Sequence, residues 1–227
     1  ASIFSLWTDS HKQKMYDSRI LTTRHLADAL RDGNAGVLCS TSAVGYYGCR
    51  GDEEITEAHA PGEDFLAQLS IDWEKEARRA ENGGIRVVLP RFGIVLDRDG
   101  GAMAKMIPAY RLLMGGPLGD GRQWFPWIHM HDLVRAMTFC LTGEAVRGPL
   151  NFCAPQPVRN EKLAKTLGRV LGRPAVMRAP AFVIRKVLGE FGDVLLCSQR
   201  VIPENLNRIG FDFRFPDIRS ALEEIVE

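Results

Sequence analysis

The stretch Val37-Leu38-Cys39-Ser40-Thr41-Ser42-Ala43-Val44-Gly45-Tyr46-Tyr47-Gly48-Cys49 passes within a few residues from an apolar run to a row of hydroxyls and then to a glycine- and tyrosine-rich turn. A short apolar run bounded by turn signals reads as a strand buried on both faces, the kind found in parallel sheets. Hydroxyls at the carboxyl end of such a strand point at the crevice where open α/β sheets bind their ligands. Ser40, Thr41 and Ser42 are therefore the first site candidates.

Upstream, residues 8–30 read as a helix with Leu26, Ala27 and Leu30 inward and Gly33 as its stop signal. Downstream, Leu66, Leu69, Trp73, Ala77 and Ala80 recur at intervals of three and four, which predicts a helix over 64–80. The run Ile85 to Leu89 is a second strand, closed by Pro90. Two strands, each preceded by a helix, predict parallel strands of a doubly wound α/β sheet.

Beyond Pro90 the pattern becomes helical. Gly100-Gly101 opens a helix through Leu113, residues 115–121 are a glycine-rich loop, and 124–128 form a short aromatic segment. A helix over 130–141 places Leu133, Val134, Met137 and Cys140 inward, and a strand follows at 150–153. A helix at 161–171, capped by Asn160 and ended by Gly172, precedes helical stretches at 181–188, 204–208 and 217–226. Residues 1–100 are thus assigned to the sheet domain. Residues 101–227 mainly form a smaller helix-rich lobe, with about 128–153 returning to the sheet.

The 227 residues, 45% of them hydrophobic, suffice for a sizeable core. Lys plus Arg number 29 against 28 for Asp plus Glu, which leaves no electrostatic footprint for nucleic acid or an anionic membrane. No apolar run has the length of about 18 residues that a membrane span needs. Cys39, Cys49, Cys140, Cys153 and Cys197 are scattered and odd in number, which argues against a disulfide framework or zinc site and for free thiols in a reducing, cytoplasmic setting.

The glycines at 45, 48 and 51 have GxxGxxG spacing, but Asp52, Glu53 and Glu54 follow where a pyrophosphate loop would lead into a helix. Those carboxylates would repel the anion, so the segment is read as a turn. His129 and His131 share a strand face, yet no further ligands accompany them, so a helix start is preferred to a metal. Arg91, just after the second strand, is placed to meet a phosphate or carboxylate, or to form a structural ion pair. Trp124, Phe125 and Trp127 are either a lid over an apolar cleft or core between the lobes.

The segments STSAVGYYG (40–48), RFGIVL (91–96), GGPLGDGRQWFPW (115–127), IHMHDL (128–133) and GPLNFCAP (148–155) resemble the extended short-chain dehydrogenases/reductases, in particular their atypical epimerase-like subfamily related to cell-division inhibitors. The resemblance implies a Rossmann-like sheet binding NADP or NAD, NADP ahead, with no metal, and a lobe closing over a small polar or sugar-like substrate; a homo-oligomer is compatible with it. It places the cofactor against Ser40, Thr41, Ser42, Arg91, Phe92 and Gly93. Ser42 matches the serine of the usual triad, Tyr46 or Tyr47 is the candidate acid/base, and Trp124 and His129 are candidate substrate contacts. Two departures stand out. The strand, glycine loop and helix with which the family begins have no counterpart ahead of residue 1, so the sheet is expected to be incomplete in its N-terminal half, with an exposed apolar flank, in a longer natural protein. The usual YxxxK is matched by Phe65 and Leu69, neither of which moves a proton. The alternative expectation is a non-catalytic NADP(H)-binding regulator, and a purely structural module is a third.

Overall fold

The computed structural model describes residues 2–31 and 33–227. Its centre is the strand Arg86–Phe92, whose five interior residues are all buried. On one side it pairs in parallel with Val37–Cys39 and, after a break at Ser40-Thr41, with Ser42–Ala43. On the other it pairs in parallel with Gly148–Phe152. Helices Asp9–Arg31 and Phe65–Arg78 cover one face over Ala27, Leu38, Ala77, Ala80, Ile85, Val87 and Leu89. Helix Met130–Thr142 covers the other, over Val88, Ile128, Leu133, Ala136, Cys140, Leu150 and Phe152. Helices on both faces of a parallel sheet make the fold Rossmann-like and doubly wound.

The central strand does not stop at Pro90. Proline lacks a ladder donor and is normally kept out of central strands. Here Arg86 N–H donates to Gly36 and Ser40 N–H donates to the Val88 carbonyl, so even-numbered residues of the strand face the Val37–Cys39 side. The donor missing at Pro90 therefore falls opposite the Ser40-Thr41 break, where the neighbouring ladder is interrupted anyway.

A second core gathers Leu96, Met103, Tyr110, Trp127, Leu163, Leu167, Ile218 and Leu222. It lies between the small sheet formed by Ile94–Asp97, Gly100–Gly101 and Trp127–His129 and the helices Met103–Arg111, Asn160–Val170 and Ile218–Val226. Chain 200–201 then returns to pair in parallel with Glu54–Ile55 beside the glycine turn.

Several local expectations need correction. Leu26 and Val134 are 46% and 54% exposed, because the buried stripes run through Ala27 and Leu133 and a sequence neighbour lies about 100° round the helix. Gly100-Gly101 pairs as a strand with Leu96-Asp97 before the helix begins at Met103. Asn160 is the first helical residue rather than the cap, and its Oδ1 accepts from Leu118 N–H (2.8 Å). Cys49 and Cys197 form a disulfide, although 148 positions separate them, because the fold brings their Cα atoms to 5.3 Å; Cys39, Cys140 and Cys153 are free thiols.

Asp132 in the helix start is fully buried, its Oδ1 accepting from Arg214 N–H (2.9 Å) and its Oδ2 from Phe215 N–H (2.8 Å). It clamps the segment leading to the last helix. Asp132→Ala orphans both amides, and a loss of about 2–4 kcal/mol is expected in urea unfolding; an unchanged midpoint would contradict this role.

Candidate active site

Strand register builds the site. Ser42 lies opposite Arg91, and Arg91 opposite Asn151, so three polar residues form one row across the sheet near its carboxyl edge. Helix Phe65–Arg78, started by Asp64 accepting from Ala67 N–H (2.9 Å), lays Glu74 against this row. The 3-10 turn Val44–Tyr47 adds Tyr47.

The result is one continuous buried network. Arg91 Nε and Nη2 donate to Glu74 Oε1 and Oε2 at 2.7 and 2.9 Å, a bidentate pair, and Ser42 Oγ donates to the same Oε1 at 2.8 Å. Arg91 Nη1 donates to Tyr47 Oη (2.9 Å), which donates to Asn151 Oδ1 (2.6 Å). Asn151 N–H donates to Glu57 (2.8 Å), and Asn151 Nδ2 donates to the Ile202 carbonyl (3.0 Å). Ser42, Glu74, Arg91, Tyr47 and Asn151 are all buried. Burial opposes the Arg91 charge, but the bonds to Glu74 outweigh it and hold the guanidinium protonated well above its ordinary range. Burial pushes the Tyr47 phenol far up, so it stays neutral at every ordinary pH. Burial likewise raises Glu57.

Tyr46 differs from its neighbour. It is only half-buried, and the Arg91 guanidinium sits 3.5 Å from its ring centroid. Thr41 is also half-exposed, at the strand break, while Ser40 is buried. Phe92 stacks on Phe152 at 5.6 Å. At Gly93 a Cβ would lie 2.9 Å from the Pro126 carbonyl oxygen, so this approach of two chains needs glycine.

The structure thus brings together Ser40, Thr41, Ser42, Tyr46, Tyr47 and Arg91, and the carboxylate that Arg91 meets is the chain's own Glu74. It does not bring Trp124 and His129 to one place. Trp124 lies between Arg159 and Arg200, 4.5 and 5.2 Å from its ring, and its Nε1 donates to Asp52 (2.9 Å). His129 is buried, caps helix Met130–Thr142 by accepting from His131 N–H, bridges to Glu224 at 2.8 Å and packs on Phe215. Both of its ring nitrogens are thus engaged by the chain's own groups, Nδ1 by His131 N–H and Nε2 by Glu224. The Gly45–Gly51 segment leads into the extended pair Glu54–Ile55 and not into a helix.

Glu74, Asn151 and Glu57 escaped the sequence reading. Glu74 did leave a signal: the buried stripe Ala67, Ser70, Glu74, Ala77 carries a carboxylate where an apolar residue belongs, which calls for a buried cation.

An open parallel sheet with a polar row at its carboxyl edge and a second lobe beyond it defines the Rossmann-like class. The chain belongs to the NAD-dependent epimerase/dehydratase family, whose pattern its residues 2–151 match; residues 179–225 match a domain of unknown function, DUF1731. An epimerase family protein of Staphylococcus epidermidis is 39% identical over 230 residues, covering 100% of this chain and 77% of the relative. The chloroplastic SDR39U1 homolog of Arabidopsis thaliana is 39% identical, covering 99% of this chain and 66% of that protein. Among solved structures, human epimerase family protein SDR39U1 (isoform 2) with NADPH superposes with a TM-score of 0.94 at 35% identity, covering 99% of this chain and 77% of that one. No helix among the described residues is long and apolar enough to cross a membrane.

The two tyrosines should part on mutation. Tyr47→Phe strands Asn151 Oδ1 and Arg91 Nη1 and is expected to cost about 1–3 kcal/mol, whereas Tyr46→Phe should stay within about 0.5 kcal/mol. Chemical denaturation of both variants checks this, and equal losses would contradict the division.

Proposed function

We propose that the chain serves an NAD(P)-dependent epimerase or reductase acting on a small polar or sugar-like substrate, with NADPH preferred and Tyr46 exchanging the proton. The observation that carries this reading is the half-open Tyr46 ring over the buried Arg91 guanidinium. A fixed cation under the ring favours negative charge that grows on it during proton transfer. Ser42, Glu74 and Tyr47 hold that cation in place, Ser42 from a buried position with its Oγ given to Glu74.

The residues present fit the nicotinamide end of a dinucleotide: Thr41 and Tyr46 are open at the sheet's carboxyl edge, with Phe92 and Gly93 on the neighbouring strand end. The Gly45–Gly51 turn, followed by Asp52, Glu53 and Glu54, does not fit the diphosphate. When bound, the cofactor supplies or accepts hydride. The NADPH in the human relative supports the preference.

A second reading, binding without turnover in the service of a partner, is favoured by the fate of the YxxxK positions. Phe65 packs edge-on against Trp7 at 5.6 Å, and Leu69 is buried.

Thermal-shift titration with NADPH and NADH tests the binding, since a ligand of the native state alone raises the midpoint by mass action. A larger rise with NADPH is expected, and no rise with either would remove the reading. Against a panel of sugars and nucleotide sugars, Tyr46→Phe should keep NADPH binding and lower turnover by about 100-fold. Binding with no turnover in the unaltered chain would favour the second reading.

A further inference from the structure

We propose that Cys49 and Cys197 are a reversible thiol–disulfide site, which in its oxidised form latches the tyrosine turn to the segment returning from the second lobe. Cys49 is exposed two residues after Tyr47, and Cys197 is half-exposed just past helix Glu190–Leu196. The remaining thiols differ. Burial pushes Cys39 up to about 11 and Cys140 up to about 12, and Cys153 is raised further by complete burial, so none offers a reactive thiolate.

Reversibility follows from what surrounds the pair. Arg50 N–H donates to the Ser198 carbonyl (3.1 Å) and Ser198 Oγ to the Gly51 carbonyl (2.6 Å). Gln199 Nε2 donates to the carbonyls of Val44 and Gly48 at 3.0 and 2.9 Å. None of these bonds involves sulfur. They hold the two segments together when the cysteines are reduced, so the thiols stay apposed and close again without refolding. Glu54–Ile55 pairing with Arg200–Val201 reinforces the same seam.

The chemistry is exchange with a low-molecular-weight disulfide such as oxidised glutathione. The exposed Cys49 thiolate attacks one glutathione sulfur, forming a mixed disulfide and releasing one glutathione thiolate. The Cys197 thiolate then attacks the Cys49 sulfur, forming the protein disulfide and releasing the second glutathione. Two protein thiols give up two electrons and two protons, and one glutathione disulfide becomes two thiols; excess reduced glutathione runs the steps backward. The Tyr46 turn is fastened in one state and held only by hydrogen bonds in the other.

The test equilibrates the native chain with graded ratios of reduced and oxidised glutathione, alkylates it, and counts blocked thiols by mass after unfolding. The expected result is a single transition from five thiols to three, mapped to Cys49 and Cys197, with the circular dichroism of the folded chain retained throughout. Reduction should lower the thermal midpoint by about 5–10 °C, and Cys49→Ser should show neither the transition nor the shift. Five thiols at every ratio would overturn the proposal. So would three thiols that yield only when denaturant unfolds the chain, which would mark a structural staple. The effect on cofactor rests on the function proposed above: NADPH affinity should fall by roughly fivefold on reduction. Equal affinity in both states would overturn the control of the site by the latch. A thiol transition with no NADPH binding in either state would instead overturn the function and leave the redox site standing.

Discussion

The bidentate pair between Arg91 and Glu74 is the contact on which the rest of the sheet edge depends. Taking both charges out of water costs several kcal/mol per ion, and here the two are almost wholly inaccessible. The pair is tolerable because its bonding is shared out: Ser42 donates to the carboxylate, Tyr47 accepts from the guanidinium, and the Tyr46 ring covers the guanidinium face. A strand, a helix and a turn are thereby tied to one charged centre. Losing any single partner leaves a buried charge or dipole without compensation, which is costlier than losing a surface ion pair.

That centre also explains why neighbouring residues of one motif take different parts. The 3-10 turn Val44–Tyr47 sends one phenol inward and leaves the other half-buried. Tyr47 gives its hydrogen to Asn151 and receives one from Arg91, so both roles of its oxygen are taken. Tyr46 touches the same cation through its ring face, and that contact leaves its hydroxyl free of the network. A sheet edge can in this way hold a rigid charge and a half-buried phenol outside its hydrogen-bond network within one turn of chain.

The second lobe reaches this edge through residues 197–202. Ile202 accepts from Asn151, Gln199 donates to the tyrosine turn, and Arg200–Val201 pairs with Glu54–Ile55. Glu57 adds a further tie, accepting from the amides of Asn151 and Asn205 together. The lobe is therefore bonded into the polar network itself, and a disturbance at the seam acts on the groups around Arg91.

Sequence alone determined the α/β alternation, the two parallel strands at Val37 and Arg86 and the hydroxyl-rich strand end, because these rest on local periodicity and on the preference of small polar residues for strand ends. The buried stripe of helix Phe65–Arg78 was legible for the same reason. What only the tertiary structure decided was every relation between distant segments. The register that puts Ser42, Arg91 and Asn151 in one row, the strand break that lets Pro90 sit in a central strand, the choice of Tyr47 over Tyr46 for burial and the union of Cys49 with Cys197 leave no periodic trace. Each depends on which surfaces meet once loops have closed, and a single chain position carries no information about a partner brought near only by folding.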